Sequence, residues 1–122
     1  MRRPIRYGTF LAMKFYAIDE LRYQDYEKLR DYLPTRFTKG SLPGIFQIPI
    51  GADHLSREQA AHEACQPFYC AVELEENRIA VEFLVRSKNR LRCSCIGYAE
   101  ERTRIWLMRL IDEIFEDLGL IS

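Results

Sequence analysis

Two of the four cysteines stand one residue apart, Cys93 and Cys95 in "RLRCSCIGY", and a third, Cys65, follows His62 by three positions in "AHEAC". Thiolate and imidazole together make a ligand set that zinc accepts. If the stretch around Cys93 is a strand, Cys93 and Cys95 share a face, because strand side chains alternate. If the stretch around His62 is a helix, His62 and Cys65 share a face as well. Two such pairs, once packed together, would make a Cys3His site from His62, Cys65, Cys93 and Cys95. The spacing departs from common structural zinc sites, in which two to four residues usually separate the first cysteines.

A plainer role competes, because free cysteine packs as a small hydrophobe. Cys70 alternates with Val72 and Leu74, and Leu91 would share a strand face with Cys93 and Cys95. Core packing with no cofactor is therefore the expected role, with zinc binding the leading alternative and a redox pair the third. A disulfide between Cys93 and Cys95 would close a very small ring in a strand. Cys65 with His62 as its base is a poor nucleophile. It falls at the C-terminal end of the expected helix, where the dipole opposes a thiolate, and no third orienting group is evident. His54 is expected to be a surface or capping residue.

A second cluster is basic. "RSKNRLR" sets Arg86, Lys88, Arg90 and Arg92 within residues 86–92. Guanidinium groups at a hairpin tip can grip phosphate in bidentate fashion. No aromatic residue interrupts the run to stack a base, and Glu73, Glu75, Glu76 and Glu82 can neutralise it across a sheet. A solvated hairpin is expected, with anion or nucleic-acid binding as the alternative. No phosphate loop, dinucleotide fingerprint, His-Glu-x-x-His pattern or nucleophile elbow is present. That absence favours binding over catalysis.

The chain that positions these groups has 122 residues, 48% of them apolar and 30% charged, which fits one ordinary globular domain. Lys plus Arg number 18 and Asp plus Glu number 18, so the strong basic surplus of a dedicated nucleic-acid binder is missing. The apolar stretch before Lys14 is only "FLAM", too short for a secretory signal, and no run approaches the roughly 18 apolar residues of a membrane span. A cytoplasmic location with reduced thiols and no membrane partner is expected.

Residues 1–12 show little periodicity and read as an N-terminal tail or extension, with a single α+β domain over 13–122. "MKFYAI" alternates as a strand. "QDYEKLRDYL" has Tyr26, Leu29, Tyr32 and Leu33 at helical spacing, closed by Pro34. "IFQIPI" is a strand whose Pro49 places it at an edge. "HLSREQAAHEAC" is a short helix with Ser56 and Gln59 placed as a capping box. "FYCAVELE", "IAVEFLV" and "LRCSCIGY" read as three strands joined by tight turns. The last helix carries Leu107, Leu110, Ile111, Ile114 and Leu118 as an apolar stripe, widened by Trp106 and Phe115, with Gly119 at its cap. The order is β-α-β-α-β-β-β-α, which predicts an antiparallel meander sheet with the helices packed on one face. The expected function is that of a small intracellular binding or regulatory domain acting through a protein partner or self-association. The alternatives are a thiol- or zinc-dependent enzyme or zinc-stabilised domain, and an anion binder using the basic hairpin.

Overall fold

The computed structural model describes residues 5–10 and 13–120, with side chains from Lys14 onward. Among the described residues the elements are β1 (Ile5–Phe10), β2 (Met13–Asp19), α1 (Tyr23–Arg36), β3 (Thr38–Lys39), β4 (Ile45–Ile50), α2 (Arg57–Ala61), β5 (Phe68–Glu75), β6 (Arg78–Glu82), β7 (Leu84–Ser87), β8 (Gly97–Tyr98) and α3 (Glu101–Leu118). Single 3-10 turns at Ala52–His54 and Glu63–Cys65 flank α2. All strand pairs are antiparallel, in the order β1-β2-β6-β5-β4-β3, with β7 pairing β5 and β8. The α+β class, the meander through β3 to β6 and the long final helix all follow the sequence pattern.

Part of the segment read as a tail is a strand: β1 pairs with β2 from Ile5↔Ile18 to Phe10↔Met13. Arg6 and Gly8 dilute its alternation, and a strand on the margin of a sheet is held by backbone bonds that leave little hydrophobic signature. The remainder of that segment, residues 1–4 and 11–12, lies outside the described residues.

Period-two alternation builds the sheet's inner face. Phe68, Cys70, Val72 and Leu74 of β5 are buried while Glu73 and Glu75 are exposed. The register sets Phe46 against Val72 and Ile48 against Cys70, and Val72 and Tyr16 each against Val81. Leu29 and Leu33 of α1, with Leu107, Leu110, Ile111, Ile114 and Phe115 of α3, join the same core. A fully buried aliphatic side chain contributes about 1.5–3 kcal/mol, so tertiary burial of its stripe, more than intrinsic propensity, holds α3 in place. Tyr16 crosses this layer, its hydroxyl donating to Asp112 Oδ1 at 2.7 Å. Gly119, at φ 68°, takes the left-handed conformation that ends α3.

Two local differences from the sequence pattern, at Pro34 and at Phe83, have physical causes, and the unpaired side expected at Pro49 is present. Helix α1 runs two residues past Pro34, its last turn closed by the Phe37 N–H on the Leu33 carbonyl at 2.9 Å. Leu33 and Phe37, both buried, hold that turn although Pro34 cannot donate. β4 meets β3 only at Phe46 and Gln47, so among the described residues its edge at Pro49 is unpaired on that side, as the missing N–H requires. The expected strand over 79–85 is broken at Phe83. β5 pairs Val72↔Val81 with β6 but Phe68↔Ser87 with β7, a slip of two residues. The Phe83 N–H turns to the Lys14 carbonyl at 2.9 Å, and its carbonyl accepts the Ala99 N–H at 2.8 Å. An even slip preserves the face, so Ile79, Val81, Phe83 and Val85 all stay buried. The break leaves β7 free to pair with β8 and carries the chain toward the cysteines.

Candidate metal centre

Two tight turns bring the sulfurs together. Ser56 caps α2 through a complete capping box: the Gln59 N–H donates to Ser56 Oγ at 3.1 Å, and the Ser56 N–H donates to Gln59 Oε1 at 3.0 Å. The helix stops at Ala61, and the chain tightens into a 3-10 turn in which the Cys65 N–H reaches the His62 carbonyl at 3.0 Å. Three residues per turn place i and i+3 directly above one another, so His62 and Cys65 face the same way. The second turn, Cys93 to Ile96, closes with the Ile96 N–H on the Cys93 carbonyl at 3.1 Å.

The expected strand over "LRCSCIGY" is therefore corrected: only Gly97–Tyr98 is a strand. Leu91 is 98% exposed, so the core face that it was expected to share with Cys93 and Cys95 does not exist. The alternation of "LRCSC" imitates a strand, but the backbone bonds go into a turn.

The ligand atoms of His62, Cys65, Cys93 and Cys95 all lie within 4.8 Å of one another. His62 Nδ1 is 3.3 Å from Cys93 Sγ. Cys65 and Cys95 are 5% and 3% exposed, and Cys93 and His62 are half-buried at the mouth of the cluster. These four residues, separated in the chain, are the ones that the zinc alternative names, and their placement is compatible with zinc. Cys70 belongs elsewhere: it is fully buried in β5, and burial pushes its thiol up to about 12.

The electrostatics of the cluster single out one sulfur. The backbone N–H of Cys95 and then its thiol, followed by Cys65 and His62, hold the Cys93 thiol down to about 6. Cys95 is pushed the other way, up to about 12, first by burial and then by its thiol's bond to Cys93. The Cys93 sulfur thus faces the hydrogen-bond donors of the cluster, while the Cys95 thiol is the more deeply buried. A cation entering the cluster would displace the protons of the thiols.

An outer layer fixes the turns. Gln59, buried behind the cluster, donates from Nε2 to the Cys95 carbonyl at 3.0 Å. Ser94 Oγ donates to Glu58 Oε2 at 3.1 Å, a second tie between the turn and α2. Ser87 Oγ donates to the Cys65 carbonyl and accepts the N–H groups of Asn89 and Arg90 at 3.1 and 3.0 Å. The turn that leads into α2 rests on α3. Thr103 Oγ1 donates to the His54 carbonyl at 2.8 Å, Arg102 donates to the carbonyls of Asp53 and Leu55, and the His54 ring stacks on Trp106 at 4.0 Å. His54 is thus a packing residue. Gln59 and Ser87 are absent from the sequence-derived set. Gln59 is visible there as a cap, but its second bond spans 36 residues and leaves no local trace.

The basic run is divided. Arg86 pairs with Glu82 at 3.3 Å, while Lys88, Arg90 and Arg92 stand exposed on the loop beyond β7. Of the acids expected to neutralise the run, Glu82 alone pairs with it among the described residues; Glu75 instead meets Arg78 at 3.4 Å. A groove of about 450 Å³ between α1 and the β3–β4 hairpin, lined among others by Arg30, Pro34, Leu42 and Phe46, shares no residue with the cluster. None of the described helices is long and apolar enough to cross a membrane. No protein-family model matches the chain, and neither a curated protein nor a solved structure matches it, so what the cluster does must follow from its own geometry.

Proposed function

We propose that this chain is a zinc-stapled binding domain. His62, Cys65, Cys93 and Cys95 hold one zinc ion that locks two turns together, and the domain acts through a protein partner or self-association. The observation that carries this reading is the convergence of four ligand atoms to within 4.8 Å. Ordinary zinc–sulfur and zinc–nitrogen bonds in a tetrahedron put ligand atoms about 3.5–3.8 Å apart, so the cluster needs only a small contraction. Three soft sulfurs and an imidazole suit zinc better than calcium or magnesium, which prefer oxygen. Four protein ligands fill the tetrahedron and leave no open position for water or substrate, which is the pattern of a structural site. The Cys95 N–H on the Cys93 sulfur and the Gln59 amide on the Cys95 carbonyl supply the outer bonds that orient such ligands.

When bound, the ion supplies cross-linking rather than chemistry. Elemental analysis of untagged protein tests this. One zinc per chain is expected, retained on dialysis at neutral pH and lost in His62→Ala and in Cys95→Ala. A metal-free chain, or zinc indifferent to both substitutions, overturns it.

A further inference from the structure

Between the two ligand-bearing turns the chain makes an excursion over residues 87–92. Lys88 to Arg92 are all exposed, and Leu91, at 98%, is the most exposed large hydrophobic among the described residues. A lone exposed leucine is ordinary on a protein surface. This one differs in its setting. One side of the loop is anchored by Ser87 on the Cys65 carbonyl, by the Asn89 side chain on the Gln66 carbonyl, and by the Lys88 N–H on the Pro67 carbonyl at 3.0 Å. The other side runs directly from Arg92 into Cys93, a ligand of the proposed metal.

The charge around Leu91 is concentrated: three of the five residues from Lys88 to Arg92 are basic and exposed. Arg22, Arg30, Arg78, Arg86 and Arg102 each meet a carboxylate at 3.0–3.4 Å. Among the described residues Lys88, Arg90 and Arg92 meet none, as is also true of basic residues elsewhere such as Lys28, Lys39 and Arg109, but only here do three such residues fall within five positions. The chain as a whole balances 18 basic against 18 acidic residues, so this excess is local.

We infer that residues 87–92 form a docking tip for an acidic segment of a partner protein. Leu91 inserts into an apolar site on the partner, and Asp or Glu residues around that site pair with Lys88, Arg90 and Arg92. The inference rests on the metal centre proposed above, which fixes the Cys93 side of the loop. Nucleic acid is disfavoured because a phosphate backbone offers an aliphatic side chain nothing, and no aromatic residue in 86–92 can stack on a base. A lipid surface is disfavoured because a single leucine buries too little apolar area to anchor the loop in a bilayer. Anchoring at both ends lowers the cost of ordering the loop on a partner. Arginine's fork matches a carboxylate in bidentate fashion, which adds direction to the charge.

The test uses the full chain loaded with zinc. A library of random short peptides is selected on it, with counter-selection on Arg90→Glu protein, and the enriched peptide is made with a fluorophore and titrated. The expected result is a sequence with acidic residues flanking an aliphatic or aromatic one. Its affinity falls about tenfold or more in Leu91→Ser and in Arg90→Glu, while both variants keep their metal. Failure to enrich an acidic peptide, or binding indifferent to Leu91→Ser, overturns the inference. So does tighter binding to duplex DNA, or to phosphatidylcholine–phosphatidylserine vesicles, that is lost in Arg90→Glu. Failure of the metal centre reads out separately, as absence of zinc from the unmutated protein, whatever the peptide titration shows.

Discussion

Stripping the metal from the intact chain is expected to lower its stability by about 3.5–4 kcal/mol, a figure that comes from chain topology. His62 and Cys93 lie 31 positions apart, so an ion that binds both closes a loop of about that length. Treated as a disulfide-like cross-link, a loop of this span removes unfolded-chain entropy equivalent to about 3.5–4 kcal/mol. For a chain of 122 residues, about 1 kcal/mol moves Tm by about 4 °C, so a chelator should lower the melting temperature by about 15 °C. The core that α1 and α3 make with the sheet is built mostly from residues other than the four ligands, of which it holds Cys65 and Cys95, so the stripped chain should still melt cooperatively. Cys95→Ala should show the same loss without chelator and no further loss with it, because both perturbations remove one cross-link. Cys70→Ala should keep the full chelator response, since Cys70 lies outside the cluster. The assay is thermal melting by circular dichroism for these proteins with and without chelator. A shift below about 4 °C in the unmutated protein, with Cys95→Ala costing only about 1 kcal/mol, would refute the reasoning and leave the sulfurs as core packing.

Gln59→Ala should weaken zinc binding by about 10–100-fold, the usual effect of losing an outer-shell bond, as measured by competition with a chromophoric chelator. Leu110→Ala, in the middle of the α3 stripe and 7% exposed, should cost about 2–5 kcal/mol in urea unfolding through lost burial and a residual cavity. Loss of self-association with unchanged stability would instead put the stripe on a partner. Glu73 shares a hydrogen bond with Glu75, which together with partial burial holds its carboxyl above the usual range. A raised carboxyl contributes stability in its protonated form, present at low pH and lost as pH rises through its folded pKa. Glu73→Gln should therefore stabilise the protein at neutral pH, with the gain vanishing below about pH 4; a gain that persists in acid would contradict this.

Much of the scaffold was legible because single residues obey simple periods. Phe68, Cys70, Val72 and Leu74 alternate and are buried, Ser56 and Gln59 sit where a capping box needs them, and the α3 stripe recurs at helical spacing. The site was legible only in part. His62 and Cys65 were correctly paired, although a 3-10 turn and not a continuing helix aligns them. Cys93 and Cys95 were assigned to a strand face because "LRCSC" alternates and no Gly, Pro or Asn marks a turn between Leu91 and Ile96. That turn owes its shape to contacts distant in sequence: Gln59 on the Cys95 carbonyl and the sulfurs on one another. Pairwise spacing carries no information about such meetings. The break at Phe83 was hidden for a related reason, since an even slip leaves the buried pattern unchanged.

X-ray absorption at the zinc edge on untagged protein tests the central claim most directly, because it counts ligands by element. The geometry predicts three sulfurs at about 2.3 Å and one nitrogen at about 2.0 Å in the unmutated protein, with the zinc edge gone from Cys95→Ala and from His62→Ala. An unmutated protein with no zinc edge, or a spectrum with fewer than three sulfurs, would contradict it.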